Sequence, residues 1–198
     1  MISTNAIFGL SGCGLLSVAV AAKALRLQRL SLRARIAVLF VLTLAVFAPF
    51  GELSVAAYVR GATGDLSMAT LVLAGSACVA VLTGRTMIGE RDARAVLWLL
   101  AAAAAFLYPF ALGFTYFDPY ALGYGSVEFL TALLLATLAA WRARLNLIVL
   151  VVAAAGLAFL VGAYESRNLW DYLIDPLVSF YALARLPVSL RHRPSASV

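Results

Sequence analysis

Apolar residues in this 198-residue chain fall into long runs separated by short polar turns. The runs cover approximately residues 6–22, 36–50, 68–83, 95–113, 127–141, 145–163 and 176–190. A helix that crosses the hydrocarbon core of a bilayer needs roughly 20 predominantly apolar residues. The pattern therefore predicts an all-α fold: a polytopic helical membrane bundle of seven transmembrane helices, or six if the first or last segment only lies in the interface. A further apolar piece, Leu53–Val59, sits between Glu52 and Arg60 and is too short to span, so it is expected to rest at the interface. The last run carries Arg185 and Pro187 and reaches across if Arg185 snorkels toward the interface. These segments leave almost nothing for a separate aqueous unit, and residues 1–198 read as a single integral membrane domain.

Composition agrees. Apolar residues make up 64% and charged residues 12% of the chain, where soluble domains have about half and a quarter. This excludes a soluble globular enzyme, a disordered segment and an ordinary nucleic-acid-binding domain. The formal charge of +6 reflects where the charges lie. With the N-terminus outside and the C-terminus cytoplasmic, the inner turns and tail hold 13 of the 15 Lys and Arg, leaving Arg60 and Arg167 outside. Glu90 and Asp92 are inside; the other seven carboxylates lie outside or at the outer edge. The positive charge is thus topological, the expected surroundings are a lipid bilayer, and no nucleic-acid partner is expected. Basic inner turns can touch anionic headgroups. Abundant Ala and Leu, with 14 Arg to one Lys, suit the inner (plasma) membrane of a bacterium with a GC-rich genome.

Several motifs dissolve on inspection. Gly9-Leu10-Ser11-Gly12 has the G-x-S-G spacing of rhomboid-type intramembrane serine proteases, but a serine nucleophile needs a histidine base within reach. The only histidine, His192, belongs to the basic tail on the opposite side. The better reading is a face of small residues that lets helices approach closely. Leu10-Ser11-Gly12-Cys13 matches a lipoprotein cleavage box, yet no basic residue precedes it and apolar sequence continues after it. Cys13 and Cys78 read as small buried thiols. The spans contain the hydroxyls of Thr43, Thr70, Ser76, Thr131 and Thr137 but no ionisable residue near the midplane, which weighs against an ion-coupled carrier.

Polar chemistry gathers on the outer side, in residues 114–126 (FTYFDPYALGYGS) and 164–176 (YESRNLWDYLIDP). Pro119 fixes a turn after Asp118, and Gly123 and Gly125 loosen the approach to Glu128. Asn168 is expected to cap a short helix, with Asp171 in its first turn neutralising free amides. Asp171 and Asp175, four apart, would share a face of that helix. Asp175-Pro176 reads as a second cap with proline at the first helical position, and Gly64-Asp65-Leu66-Ser67 as a cap opening the third span. Seven carboxylates on one small face repel one another unless cations or a partner offset them. The candidate binding set is Asp118, Tyr120, Glu128, Glu165, Arg167, Asn168, Asp171 and Asp175, and its hard oxygens would suit Mg²⁺ or Ca²⁺.

Three functions follow from this reading. Small size and the lack of an aqueous domain favour an accessory or assembly subunit, with a membrane-protein partner, for a cell-envelope enzyme or transporter. The others are a small transporter or channel, and a membrane-embedded, carboxylate- or divalent-metal-dependent transferase or hydrolase acting on a lipid-linked envelope substrate. The balance points away from an enzyme.

Overall fold

The computed structural model describes residues 3–113 and 117–191. Tyr116, His192 and Arg193 lie outside the described residues. Among the described residues the fold is all-α apart from one tiny hairpin. Its helices are α1 (Thr4–Ala24), α2 (Leu32–Phe47), α3 (Val55–Thr63), α4 (Met68–Thr83), α5 (Glu90–Ala111), α6 (Val127–Arg142), α7 (Asn146–Leu160), α8 (Trp170–Leu173) and α9 (Pro176–Arg191). Strands β1 (Pro49–Phe50) and β2 (Leu53–Ser54) pair antiparallel between α2 and α3.

Serine starts most of these helices. Ser3, Ser31, Ser54, Ser67 and Ser126 each turn a side-chain oxygen onto the amide three residues on, at the starts of α1, α2, α3, α4 and α6. Each satisfies one of the amides that a helix start leaves without an internal partner. At the other end of α4, Gly84 adopts the left-handed conformation (φ 71°) and returns its amide to Ala80, the ordinary glycine stop.

Two packing groups result. In the first, α1 lies against α2, α3 and α4, around Val18, Ala22, Leu39, Val46, Ala56 and Val81. The face of small residues on α1 is what permits this. A Cβ on Gly12 would sit 3.1 Å from the Leu71 side chain, and one on Gly14 would fall 2.3 Å from the Phe47 ring. Ser11 points away from that face and is exposed, so the G-x-S-G spacing serves packing. In the second group, α5 and α9 pack together and both flank α7 or its neighbours, with α6 outside α7. Val96, Leu100, Ala104 and Leu107 of α5 and Val178, Ala182 and Leu186 of α9 are buried at helical spacing. Contacts between α4 and α7 join the groups.

Large apolar side chains face outward. Phe40, Val41 and Leu44 on α2, Leu134, Leu135 and Leu138 on α6, Leu150 and Leu157 on α7, and Phe180 on α9 are all exposed. Soluble monomers rarely leave contiguous apolar surface on this scale.

The turns separate to two ends. At the basic end, the Arg35 guanidinium donates to Val81 O (3.1 Å), Arg91 donates to Ala143 O (3.1 Å), and Leu147 N donates to Asp92 Oδ2 (3.3 Å). The opposite end carries α3, α8 and the candidate site.

The seven expected spans correspond to α1, α2, α4, α5, α6, α7 and α9. Among the described residues only Thr4–Ala24 and Glu90–Phe110 are long and apolar enough to cross a membrane, so a seven-span count is not established by helix length. The others have 15 or 16 residues, about 24 Å at 1.5 Å per residue against a core of about 30 Å. Most of the expected runs are themselves of about this length. Pro49 and Phe50 leave α2 for the hairpin, and Gly162 (φ 62°) turns the chain after α7, so α7 stops short of residue 163. The short apolar piece, expected at the interface, forms β2 and the first half of α3, which packs along α1 with Ala56 fully buried.

Candidate functional site

The site grows from two helix starts that meet. Ser67 caps α4, and Asp175 caps α9 by accepting from Val178 N (2.8 Å) through Oδ1. Pro176 follows as the first helical residue, where its missing N–H costs nothing. The second oxygen of Asp175 reaches across to the other start. It accepts from Ser67 N (2.9 Å), Ser67 Oγ (2.8 Å) and Thr70 Oγ1 (2.5 Å). Asp175 is only 4% exposed, and four donors with two positive helix termini offset the cost of burying its charge.

Around this clasp the turn from Gly64 to Ser67 is drawn into the bundle. Cys13 Sγ on the third turn of α1 lies 3.7 Å from Gly64 O, which accepts from it. Tyr164 donates to Leu66 O (2.6 Å), and Tyr164 stacks on Tyr172, whose ring centroid is 4.9 Å away. Arg60 and Asp65 form an ion pair, Nε to Oδ1 at 2.7 Å. It rests on Gly9, where any Cβ would overlap both side chains. Burial first, and then the nearby Asp65 charge, hold the Tyr164 hydroxyl above the ordinary tyrosine range.

A second set of bonds bolts together the two loops singled out in the sequence. Asn168, fully buried, donates to Tyr120 O (2.8 Å) and accepts from Trp170 N (3.0 Å). Leu169 N donates to Gly123 O (2.9 Å), and the Trp170 indole to Pro119 O (2.9 Å). Asp171 Oδ2 accepts from Tyr120 Oη (2.9 Å) and Ser166 Oγ (2.5 Å). Burial first, then the Asp171 carboxylate that accepts its proton, raise the Tyr120 hydroxyl above the ordinary value.

A cavity of about 250 Å³ opens between clasp and loops, lined by Thr63, Gly64, Asp65, Tyr164, Ser166, Asp171, Ile174, Asp175 and Pro176. Of the eight residues expected to form a site, Tyr120, Asn168, Asp171 and Asp175 converge. The other four do not. Asp118 is exposed and caps its own turn, accepting from Tyr120 N (2.9 Å). Glu128, in the first turn of α6, and Glu165 and Arg167 are exposed at the rim.

Asp171 stands in the first turn of α8, as expected, with its carboxylate accepting from Tyr120 and Ser166. Two expectations need correcting. Asp171 and Asp175 share no helical face, because Ile174 is extended (φ −144°, ψ 145°) and breaks the helix between them, although both line the cavity. Gly123 loosens nothing: it is buried against Asn168 and Trp170, so that a Cβ there would lie 1.8 Å from Asn168 Oδ1. The suggestion of Mg²⁺ or Ca²⁺ also finds no geometry. No three His, Cys, Asp or Glu among the described residues are grouped to hold a metal ion.

Sequence reasoning missed Asp65, Ser67, Thr70 and Tyr164 as members of the site. One signal was legible: two cap motifs, Asp65-Leu66-Ser67 and Asp175-Pro176, each interrupt an apolar stretch, and interrupted helices tend to meet at such breaks. Comparison with family models, curated proteins and solved structures finds no match to this chain.

Proposed function

We propose that this chain is a polytopic bundle of seven spans in a bacterial inner membrane, its N-terminus outside and its C-terminus cytoplasmic. Its role is that of a non-catalytic accessory or assembly subunit that docks an envelope enzyme or transporter through its outer end. The outward-facing apolar side chains on α2, α6, α7 and α9 support the membrane part. At the break between α3 and α4, Leu66 and Ser67 are buried while Gly64 is exposed.

The observation that carries the docking role is the division of labour at the outer end. The inner carboxylates, Asp171 and Asp175, are taken up in fastening helices and loops together. The rim of that rigid cap presents Asp118, Glu128 and Glu165, with the rings of Phe50, Tyr58, Phe117 and Tyr124, all exposed. A preformed surface of aromatic rings ringed by charge suits a protein partner. The span hydroxyls of Thr43, Ser76 and Thr137 bond back to their own helices and so do not favour a polar path across the bundle.

The test is affinity purification of the full chain in mild detergent, with the retained membrane proteins quantified. A stoichiometric partner should be retained. It should be lost when Asp118→Asn, Glu128→Gln and Glu165→Gln are combined, and kept when Glu90→Gln and Asp92→Asn are combined. Equal retention by both variants would overturn the docking role.

One observation favours a second reading, a small transporter or channel for a polar ligand: the cavity of about 250 Å³ beside Asp65 and Asp171. A specific polar solute retained by the purified chain, and lost with Asp171→Asn, would favour it. The transferase or hydrolase alternative is weaker, because Asp118 and Asp171, two of the carboxylates that would serve it as a base, already accept internal donors.

A further inference from the structure

We propose that the turn joining α1 and α2 is a binding site for the phosphate-bearing headgroup of an anionic phospholipid. The inference rests on the membrane reading above and names a ligand for the opposite, basic end.

Lys23, Arg26, Gln28 and Arg29 line a cavity of about 240 Å³ at this turn. The backbone that carries them is held firmly. Arg35 donates to Leu30 O (2.8 Å), Gln28 O (2.7 Å) and Val81 O (3.1 Å), tying the turn to itself and to the end of α4. Leu27 is buried beneath it. Arg26 is one of two non-glycine residues with positive φ among the described residues, at φ 52°, ψ 43°, a conformation uncommon for a side chain of this size.

The charge is uncompensated. Among the described residues the one ion pair is Arg60–Asp65, at the other end. The α4–α5 turn differs, since Arg85, Arg91 and Arg94 share it with Glu90 and Asp92. Three cations around one small cavity repel one another unless an anion sits among them. Guanidinium groups match phosphate oxygens in pairs. Exposed Leu25, Leu30 and Leu32 flank the basic residues, giving apolar surface where the glycerol and upper acyl chain of a lipid would lie. A soluble phosphate has no use for that surface, which is why a lipid is the favoured source of the anion.

The full chain, purified and stripped of lipid, is placed in phosphatidylcholine nanodiscs containing a minor share of phosphatidylglycerol, and the lipids it retains are counted by native mass spectrometry. The wild type should enrich phosphatidylglycerol. Lys23→Gln/Arg26→Gln/Arg29→Gln should lower that enrichment by about a hundredfold, at about fivefold per cation. The control Arg85→Gln/Arg142→Gln/Arg144→Gln, which removes the same charge from the same end, should keep most of it. Arg29→Gln alone should give a partial loss, which guards against misfolding of the triple variant.

Equal loss in the control, or no preference in the wild type, overturns the proposal. Displacement of the lipid by millimolar inorganic phosphate would assign the cavity to a free anion and overturn the lipid as its occupant; resistance to phosphate supports the lipid. Failure to co-float with pure phosphatidylcholine vesicles would instead break the membrane reading, so the two failures are separable.

Discussion

The centre and the rim of the outer end are built from the same residue type and do opposite things. At the centre, Asp175 is buried and accepts from a cap amide on its own helix and three donors on α4. At the rim, Asp118, Glu128 and Glu165 stay exposed. A buried carboxylate without donors would be costly, so the central ones exist only as parts of hydrogen-bonded joints. Rim carboxylates keep their water and remain available to another molecule. A cluster of acids in a sequence is thus two populations, sorted by whether donors on another element reach the carboxylate.

The sharpest way to break this contrast is Asp175→Ala. It strips α9 of its cap and leaves Ser67 and Thr70 donors buried without an acceptor, for an expected loss of about 3 kcal/mol or more. Thermal unfolding in detergent, followed by circular dichroism, would read it, and a loss below about 1 kcal/mol would deny the clasp. Next comes Gly123→Ala. A Cβ pressed on Asn168 should cost about 1–3 kcal/mol, and Asn168→Ala should relieve part of it. Simple additivity of the two substitutions would mean that the loops are not bolted there.

A smaller effect is expected with alkali. Tyr120 and Tyr164 are raised above the ordinary value of 10.0, so the folded chain keeps their protons where the unfolded chain has released them. Their contribution to stability is whole below about pH 10 and declines as pH rises above it. Tyr120→Phe and Tyr164→Phe should each flatten that alkaline decline in a pH series of unfolding midpoints. An unchanged slope would contradict the assignment. Smallest of all, the amide variants of Asp118, Glu128 and Glu165 should change stability by no more than about 0.5 kcal/mol. A large loss would make the rim structural as well.

Much of this was legible in the residues. The apolar runs located every long helix, because burial and propensity act together over 15 residues or more. Asp175-Pro176 and Ser67 announced their caps because capping is local chemistry. Most helix lengths were legible, since the runs at 68–83, 127–141 and 176–190 match α4, α6 and α9 to within a residue at each end; α7 differs, because the left-handed Gly162 ends it short of residue 163. The partners of Asp175 were not legible. Ser67 stands 108 residues away in the chain, and nothing local to either residue encodes that meeting. Asp171 was misassigned because its spacing from Asp175 looks helical, while Ile174 between them is extended.

The most direct test of the clasp is a double-mutant cycle between Asp175→Asn and Thr70→Val, read as unfolding free energy in detergent. If the carboxylate is spent on α4, the two losses will fall short of additive by about 1 kcal/mol or more. Strict additivity would show that Asp175 is held by burial alone, and its carboxylate would then be free to serve a ligand in the cavity.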